Sequence, residues 1–394
     1  MKFLAQIIAL AAMIQLLFAI NSIPAGDRAL PVRQAHKNST GATGRTLPSM
    51  SNDDNPAMGY AEFISSGHVS AWPMRRGLWK IDEGYIRTIP YCFVDKRTYE
   101  NIGDSGKSCK IRAAFNVWSG ALNGRPSAAS GHSLGFRVAN DHFCCTSYRY
   151  GTENQPQTDS DFQCDWDHSR WPSDTLAIHW IDDVKASGSA GSSTTGYVRA
   201  ADKEKPNRHW MRVASGATPD DIAHEFGHGM IHEHQRWDRD DHVEFRCDNL
   251  VGMWDKINTA HVAEKISPAQ AHRALCEDLA MAHKYHAPSQ DYIKGAGLNV
   301  NSQPRLDGPG GFDMDSIMLY DSYSSSEAGD QADIRTAVLV AIRRDANGQK
   351  IPGSETMIPH RTRPSAKDVQ FVKDFYAWDE AKYQESQKKD PGAT

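Results

Sequence analysis

The residues best suited to chemistry lie between Asp221 and Asp241, in the run DIAHEFGHGMIHEHQRWDRDD. His224-Glu225-Phe226-Gly227-His228 is an HExxH motif. On a helix, residues four apart share a face, so the two imidazoles can grip one ion while Glu225 sits beside them, near a metal-held water. His232 and His234 follow within the next turns of chain. HExxH is short enough to arise by accident, so its meaning depends on what surrounds it. A catalytic zinc takes three protein ligands and keeps a fourth position for water. The third ligand must come from chain that leaves the helix and returns, because a residue two turns along is too far from an ion held by the first two.

The local signals place the motif on a helix. Thr218 is its N-cap, Pro219 its first residue, and Asp221 stands three after the cap. Before it, Arg87 to Val94 is β-branched and aromatic and reads as a strand, as do Leu134 to Val138, Thr175 to Trp180 and Arg208 to Val213. Ile111, Ala114, Phe115, Trp118 and Leu122 share one face of a helix. Asn140 to Pro172 is polar and aromatic and reads as a loop insertion. Beyond the motif, Val262 to His286 has helical character, and Ser365 caps an amphipathic helix that runs to Tyr376. Strands around two long helices make a twisted sheet packed on helices, an α+β class. There are no internal repeats.

The chain has 394 residues, 39% of them hydrophobic and 24% charged, with a net charge of −5. This is the composition of a globular protein, and it gives no electrostatic case for nucleic acid or an anionic membrane as partner. Lys2 followed by an apolar run from Phe3 to Ile20 reads as a signal peptide over residues 1–20, which predicts a secreted, extracellular chain with no membrane association after cleavage. Residues 21–76 lack apolar periodicity and read as a flexible leader or propeptide, with a glycosylation sequon at Asn38. Order is expected from near Tyr85, and Arg75-Arg76 is a candidate processing site that would set the boundary at Gly77. A charged tail closes the chain at 381–394. Secretion makes the seven cysteines disulfide partners with one thiol left over, and proximity in sequence suggests Cys92–Cys109, Cys247–Cys276, and Cys164 with Cys144 or Cys145.

A resemblance becomes specific in the run His232-Glu233-His234-Gln235-Arg236-Trp237-Asp238-Arg239-Asp240, which is similar to the HEHxRxDRD sequence of astacin-like metallopeptidases. It continues in Ser316-Ile317-Met318-Leu319-Tyr320, preceded by Phe312-Asp313, which resembles the family's SIMHY Met-turn with Leu319 in place of His. Weaker echoes are Thr88 to Tyr91 (TIPY) and Ser365-x-x-Asp368. The resemblance implies a zincin/metzincin-like fold over residues 77–380: a twisted, mostly parallel sheet on the active-site helix, then a second subdomain with the Met-turn and a C-terminal helix.

The resemblance also implies roles. Zn²⁺ would be held by His224, His228 and a third histidine. Spacing as in HExxHxxGxxH points to His234, yet the glycine of that pattern falls on Ile231, a β-branched residue unsuited to positive φ. If two residues are missing after His228, Gly229-Met230-Ile231-His232 keeps the Gly-x-x-His half and His232 becomes the ligand. Glu225 would be the general base, Met318 the apolar floor under the ligands, and Tyr320 the phenol that ligates zinc at rest and swings to the oxyanion. Glu233 would receive a buried amino terminus supplied by Gly77. Arg236, Asp238, Arg239 and Asp240 read as an ion-pair network shaping the turn, and His179 and His209 as structural. The implied activity is zinc-dependent endopeptidase cleavage of protein or peptide substrates. The alternative is a catalytically silent binding protein on the same fold, its ligand loop two residues too short.

Overall fold

The computed structural model describes residues 69–70, 72, 86–103, 109–138, 143–149, 163–181, 190–194, 196–198, 209–230, 239–293, 312–329 and 333–389. All belong to the second of two compact units, Asn55–Thr394. The signal sequence, Asn38, Arg75-Arg76, Gly77 and residues 231–238, with His232, Glu233 and His234, lie outside them.

The first half of this unit supplies strands β1 (Val69–Ser70), β2 (Arg87–Phe93), β3 (Leu134–Val138), β4 (Cys145–Arg149), β5 (Gln163–Trp166), β6 (Leu176–Ile181), β7 (Gly191–Ser193), β8 (Tyr197–Val198) and β9 (Trp210–Ala214). Between them run α1 (Lys96–Ile102) and α2 (Lys110–Ala121), and after β9 comes α3 (Pro219–Gly229), the HExxH helix. The main sheet has the order β3-β2-β6-β9-β7. Its first four strands are parallel, and β7 runs antiparallel to β9 as an edge strand. Central strands β2 and β6 are buried along nearly their whole length, as expected of parallel strands covered on both faces. The fold is therefore mixed α+β with a mostly parallel sheet.

Two helices cover the sheet, and they hold each other. Trp118 of α2 donates its indole N–H to the Ala223 carbonyl of α3 at 2.7 Å. Phe226 of α3 packs between Phe115 and Phe136, ring centroids 4.5 and 5.1 Å away. The apolar face of α2 inferred from sequence is thus the face turned to α3 and the sheet.

Order begins upstream of Gly77. β1 pairs antiparallel with β8, and Trp72 is 0% exposed, packed against Tyr197 and His209. The Trp72 ring donates to the Gly229 carbonyl at 2.8 Å. Packed residues therefore lie upstream of the boundary that the Arg75-Arg76 pair suggests at Gly77.

The polar insertion after β3 is not a bare loop. β4 and β5 form an antiparallel hairpin under a small core of Trp166 and Trp171, and two disulfides, Cys92–Cys144 and Cys145–Cys164, tie it to itself and to β2. This corrects the expected Cys92–Cys109 pair. Cys109 caps α2 in a left-handed conformation (φ 43°), while β2 delivers Cys92 to the hairpin, so sheet topology overrides proximity in sequence. Cys247–Cys276 forms as expected.

The second half contains β10 (Val243–Phe245), α4 (Met253–Glu264), α5 (Pro268–Glu277), α6 (Leu279–Lys284), β11 (Leu339–Ala341), β12 (Thr356–Met357), α7 (Ala366–Phe375) and α8 (Glu380–Lys389). The single helical stretch expected from Val262 to His286 is instead the end of α4, then α5 and α6. Lys265 takes φ 55°, and Ser267 with Gln270 forms a new capping box before Pro268, which cannot sit inside a helix. A second hydrophobic core gathers Leu250, Ile257, Leu275, Tyr292, Leu319 and Leu339. Helix α7 returns to the first core through Phe371, Val372 and Tyr376. Most of the expected charged tail is helix α8.

Candidate metal centre

The HExxH helix is set by its cap. Thr218 Oγ1 accepts from Asp221 N at 3.3 Å, and the Asp221 carboxylate accepts from Thr218 N at 2.8 Å. The reciprocal pair satisfies orphan amides of the first turn and fixes the helix register. Pro219 stands at the first helical position, where its missing N–H costs nothing. With that register, His224 and His228 fall on one face.

Their rings lie 4.9 Å apart at 83°. His224 is partly exposed, whereas His228 and Glu225 are only 7% and 6% exposed. His224 Nδ1 donates to the main-chain carbonyl of Ile317 at 2.8 Å. A carbonyl can only accept, so Nδ1 carries a proton, and in the neutral ring Nε2 is the nitrogen with the lone pair. This is the tautomer a divalent metal needs, held by a backbone partner of the usual kind for ligating histidines. The donor set fits a zinc ion so far as it is described: two imidazoles on one helical face. Among the described residues, no group of three His, Cys, Asp or Glu stands together as a metal cage.

Ile317 belongs to the Met-turn, and the turn is anchored from below. Asp368, buried at the start of α7, accepts from Ser316 Oγ at 2.6 Å and from Ile317 N at 2.9 Å. Met318 is fully buried beneath α3, and Gly227 makes room for it. A Cβ at Gly227 would fall inside contact distance of Met318 Sδ and lie 3.5 Å from the Trp118 ring. Tyr320 leaves the turn with its ring stacked on His224, centroids 5.5 Å apart at 17°. Gly191 of edge strand β7 lies against Glu225, where a Cβ would come within 2.7 Å of Glu225 Cγ.

The structure therefore brings together His224, Glu225, His228, Met318 and Tyr320. Arg239 is buried, its Nε 3.6 Å from Asp240 and its guanidinium 5.6 Å above the Phe245 ring. His179 and His209 are core residues, His209 stacked on Tyr197 at 5.1 Å. Sequence reasoning missed His360, whose ring lies 3.2 Å from Asp321 and 3.5 Å from Asp220, and so joins the first turn of α3 to the residue after Tyr320. No local pattern marks it, since its partners are far away in sequence.

Residues 214–270 match the family described as Astacin (Peptidase family M12A). Over that stretch the chain is similar to the astacin family. The match runs from the last residue of β9 through the HExxH helix to the start of α5, and the family is one of zinc metallopeptidases, hydrolases of peptide bonds. No curated protein matches the sequence. Among solved structures, one described as "Structure of myroilysin" is 12% identical, with 73% of this chain and 92% of that one covered and a TM-score of 0.29. A second, "Crystal structure of myroilysin", is 16% identical, with 81% and 96% covered and a TM-score of 0.27. At these values neither assigns a role to any residue.

Proposed function

We propose that the chain is a secreted zinc-dependent endopeptidase, with His224, His228 and a third histidine as metal ligands and Glu225 as general base. The observation that carries this reading is the His224–Ile317 hydrogen bond, which holds one HExxH imidazole as a ligand-ready tautomer and ties it to the Met-turn. The third ligand is His234, with His232 the alternative; both lie outside the described residues. A bound zinc would polarise the scissile carbonyl and lower the pKa of the attacking water towards ~7.

The protein's own groups do the rest. Glu225, buried beside the two imidazoles, takes the proton from the attacking water and returns it to the leaving amine. Tyr320, stacked on His224 at the partly exposed side of the site, donates to the developing oxyanion. Edge strand β7 lies against Glu225, so an extended peptide adding to that edge would carry its backbone past the base. Proteins and peptides are the substrates. Three disulfides favour an oxidising, extracellular setting, and no described helix is long and apolar enough to cross a membrane.

Metal analysis with a casein assay on wild type and Glu225→Gln tests the reading. Stoichiometric zinc, with activity abolished by the substitution, is expected. A wild type without bound zinc overturns it in favour of a silent binding protein. His232→Ala and His234→Ala identify the third ligand by which of them loses zinc.

A further inference from the structure

Tyr320 is flanked by rings on both sides. One neighbour is His224; the other is Tyr292, centroid 5.2 Å away at 41°. Tyr292 comes from the segment following α6, far from the HExxH helix in sequence. It is fixed with unusual completeness. Its ring is almost wholly buried, its hydroxyl donates to the Ser324 carbonyl at 2.7 Å, and Phe245 stacks on it at 5.2 Å and 5°. The turn that presents it is itself pinned, with Ser289 Oγ donating to the Leu275 carbonyl at 2.5 Å and Tyr292 N to the Ser289 carbonyl at 2.9 Å. A ring column thus runs Phe245, Tyr292, Tyr320, His224, and only Tyr320 and His224 belong to the candidate metal centre.

We propose that Tyr292 is a positioning residue for Tyr320: its buried ring is a fixed wall that limits the travel of the Tyr320 phenol and keeps it over His224. The physical reason is geometric. A phenol that must meet developing charge loses its effect when displaced by an ångström, and a planar neighbour held at both its edge and its face allows far less displacement than an aliphatic one. The Tyr292 hydroxyl, spent on Ser324, takes no part in chemistry; the ring does the positioning. The inference rests on the role of Tyr320 proposed above.

Three variants and two readouts test it. Tyr292→Leu should lower kcat about 10-fold with KM within about 2-fold, because orientation in the transition state is lost while ground-state binding is kept. Tyr292→Phe, which keeps the ring, should restore most of the rate. In a Tyr320→Phe background the Tyr292→Leu loss should vanish, since a residue acting through Tyr320 has nothing left to act on. Independently of activity, nitration of Tyr320 by tetranitromethane in the metal-free chain, read by peptide mass spectrometry, should be several-fold faster in Tyr292→Leu and unchanged in Tyr292→Phe. An additive double mutant, or a Tyr320 nitration rate unmoved by Tyr292→Leu, overturns the proposal. If Tyr292→Leu does not fold, Phe245→Leu removes the ring behind Tyr292 from a partly exposed position and must show the same nitration effect in smaller size. Failure of the peptidase reading would appear instead as an inactive wild type, and the nitration series would still decide whether Tyr292 restrains Tyr320.

Discussion

The Asp368 carboxylate accepts the Ile317 amide at 2.9 Å, and the Ile317 carbonyl in turn accepts His224 Nδ1 at 2.8 Å. One residue of the Met-turn, through its amide on one side and its carbonyl on the other, therefore links the first turn of α7 to the HExxH helix. Asp368 serves twice, since it also closes the capping box by accepting from Ser365 N at 2.8 Å. Asp368→Ala would leave the Ile317 amide and the Ser316 hydroxyl buried and without their acceptor, so it should destabilise the protein by about 3–5 kcal/mol. Ser365→Ala, which loses the cap bonds and the hydroxyl's bond to the Asp313 carboxylate, should cost less, about 1–2 kcal/mol. Urea unfolding of the two variants measures both, and equal losses would mean that Asp368 acts only as a cap.

Gly227 should not tolerate a methyl group. The added carbon would collide with Met318 Sδ, and the Trp118 ring behind it closes the direction of escape. Gly227→Ala is expected to cost about 1–3 kcal/mol through overpacking and to tilt the ligand helix away from the Met-turn. Met318→Ala alone should cost about 2–5 kcal/mol by leaving a cavity. The double variant should be more stable than the sum of the two predicts, because each change relieves the other. Thermal melts of all four proteins complete the cycle.

His360 predicts a pH dependence. Its hydrogen bond to Asp321 raises its pKa above the ordinary ~6.5, against a smaller opposing effect of burial, with Asp221, Asp321 and Asp220 adding charge attraction. A group whose folded pKa is raised stabilises the fold fully below its unfolded pKa, and that contribution is lost as pH rises through the folded value. The bridge that His360 makes between Asp220 on α3 and Asp321 beyond Tyr320 should thus be firm below about pH 6.5 and weaken as pH rises through the higher folded value. The ring is nearly half exposed, so the effect is a modest fall in Tm from pH 6 to 8 rather than unfolding. In His360→Gln the melting curves should show no such slope between these pH values.

Much of this arrangement was readable in the chain. Thr218, Pro219 and Asp221 specify the start of the HExxH helix because capping is local, and Ser365-x-x-Asp368 does the same for α7. The parallel strands were visible as β-branched runs. What stayed hidden depends on distant partners. Tyr292 reads as one aromatic in a polar insertion, His360 as one histidine near a proline, and Cys109 as the near neighbour of Cys92. The topology that seats Tyr292 behind Tyr320, brings His360 to two aspartates and carries Cys92 to Cys144 leaves no periodic trace.

Trp72 is the sharpest such case. It lies in a Gly-, Ser- and Asn-rich region with no apolar rhythm, yet its indole donates to the Gly229 carbonyl, one residue past His228. Its backbone is held as well, with Trp72 N donating to Tyr376 Oη at 3.3 Å and Arg87 Nη1 to the Trp72 carbonyl at 3.4 Å. Trp72→Ala should cost about 3–5 kcal/mol, the usual range for emptying a buried tryptophan site. Trp72→Phe keeps most of the packing but removes the donor at the end of the HExxH helix, where the chain departs towards His232 and His234. Its stability loss should be small, while zinc affinity should fall by more than stability does. A chain starting at Gly77 should behave like Trp72→Ala in urea unfolding. Full stability in that truncated chain would show that the segment rests on the domain without supporting it.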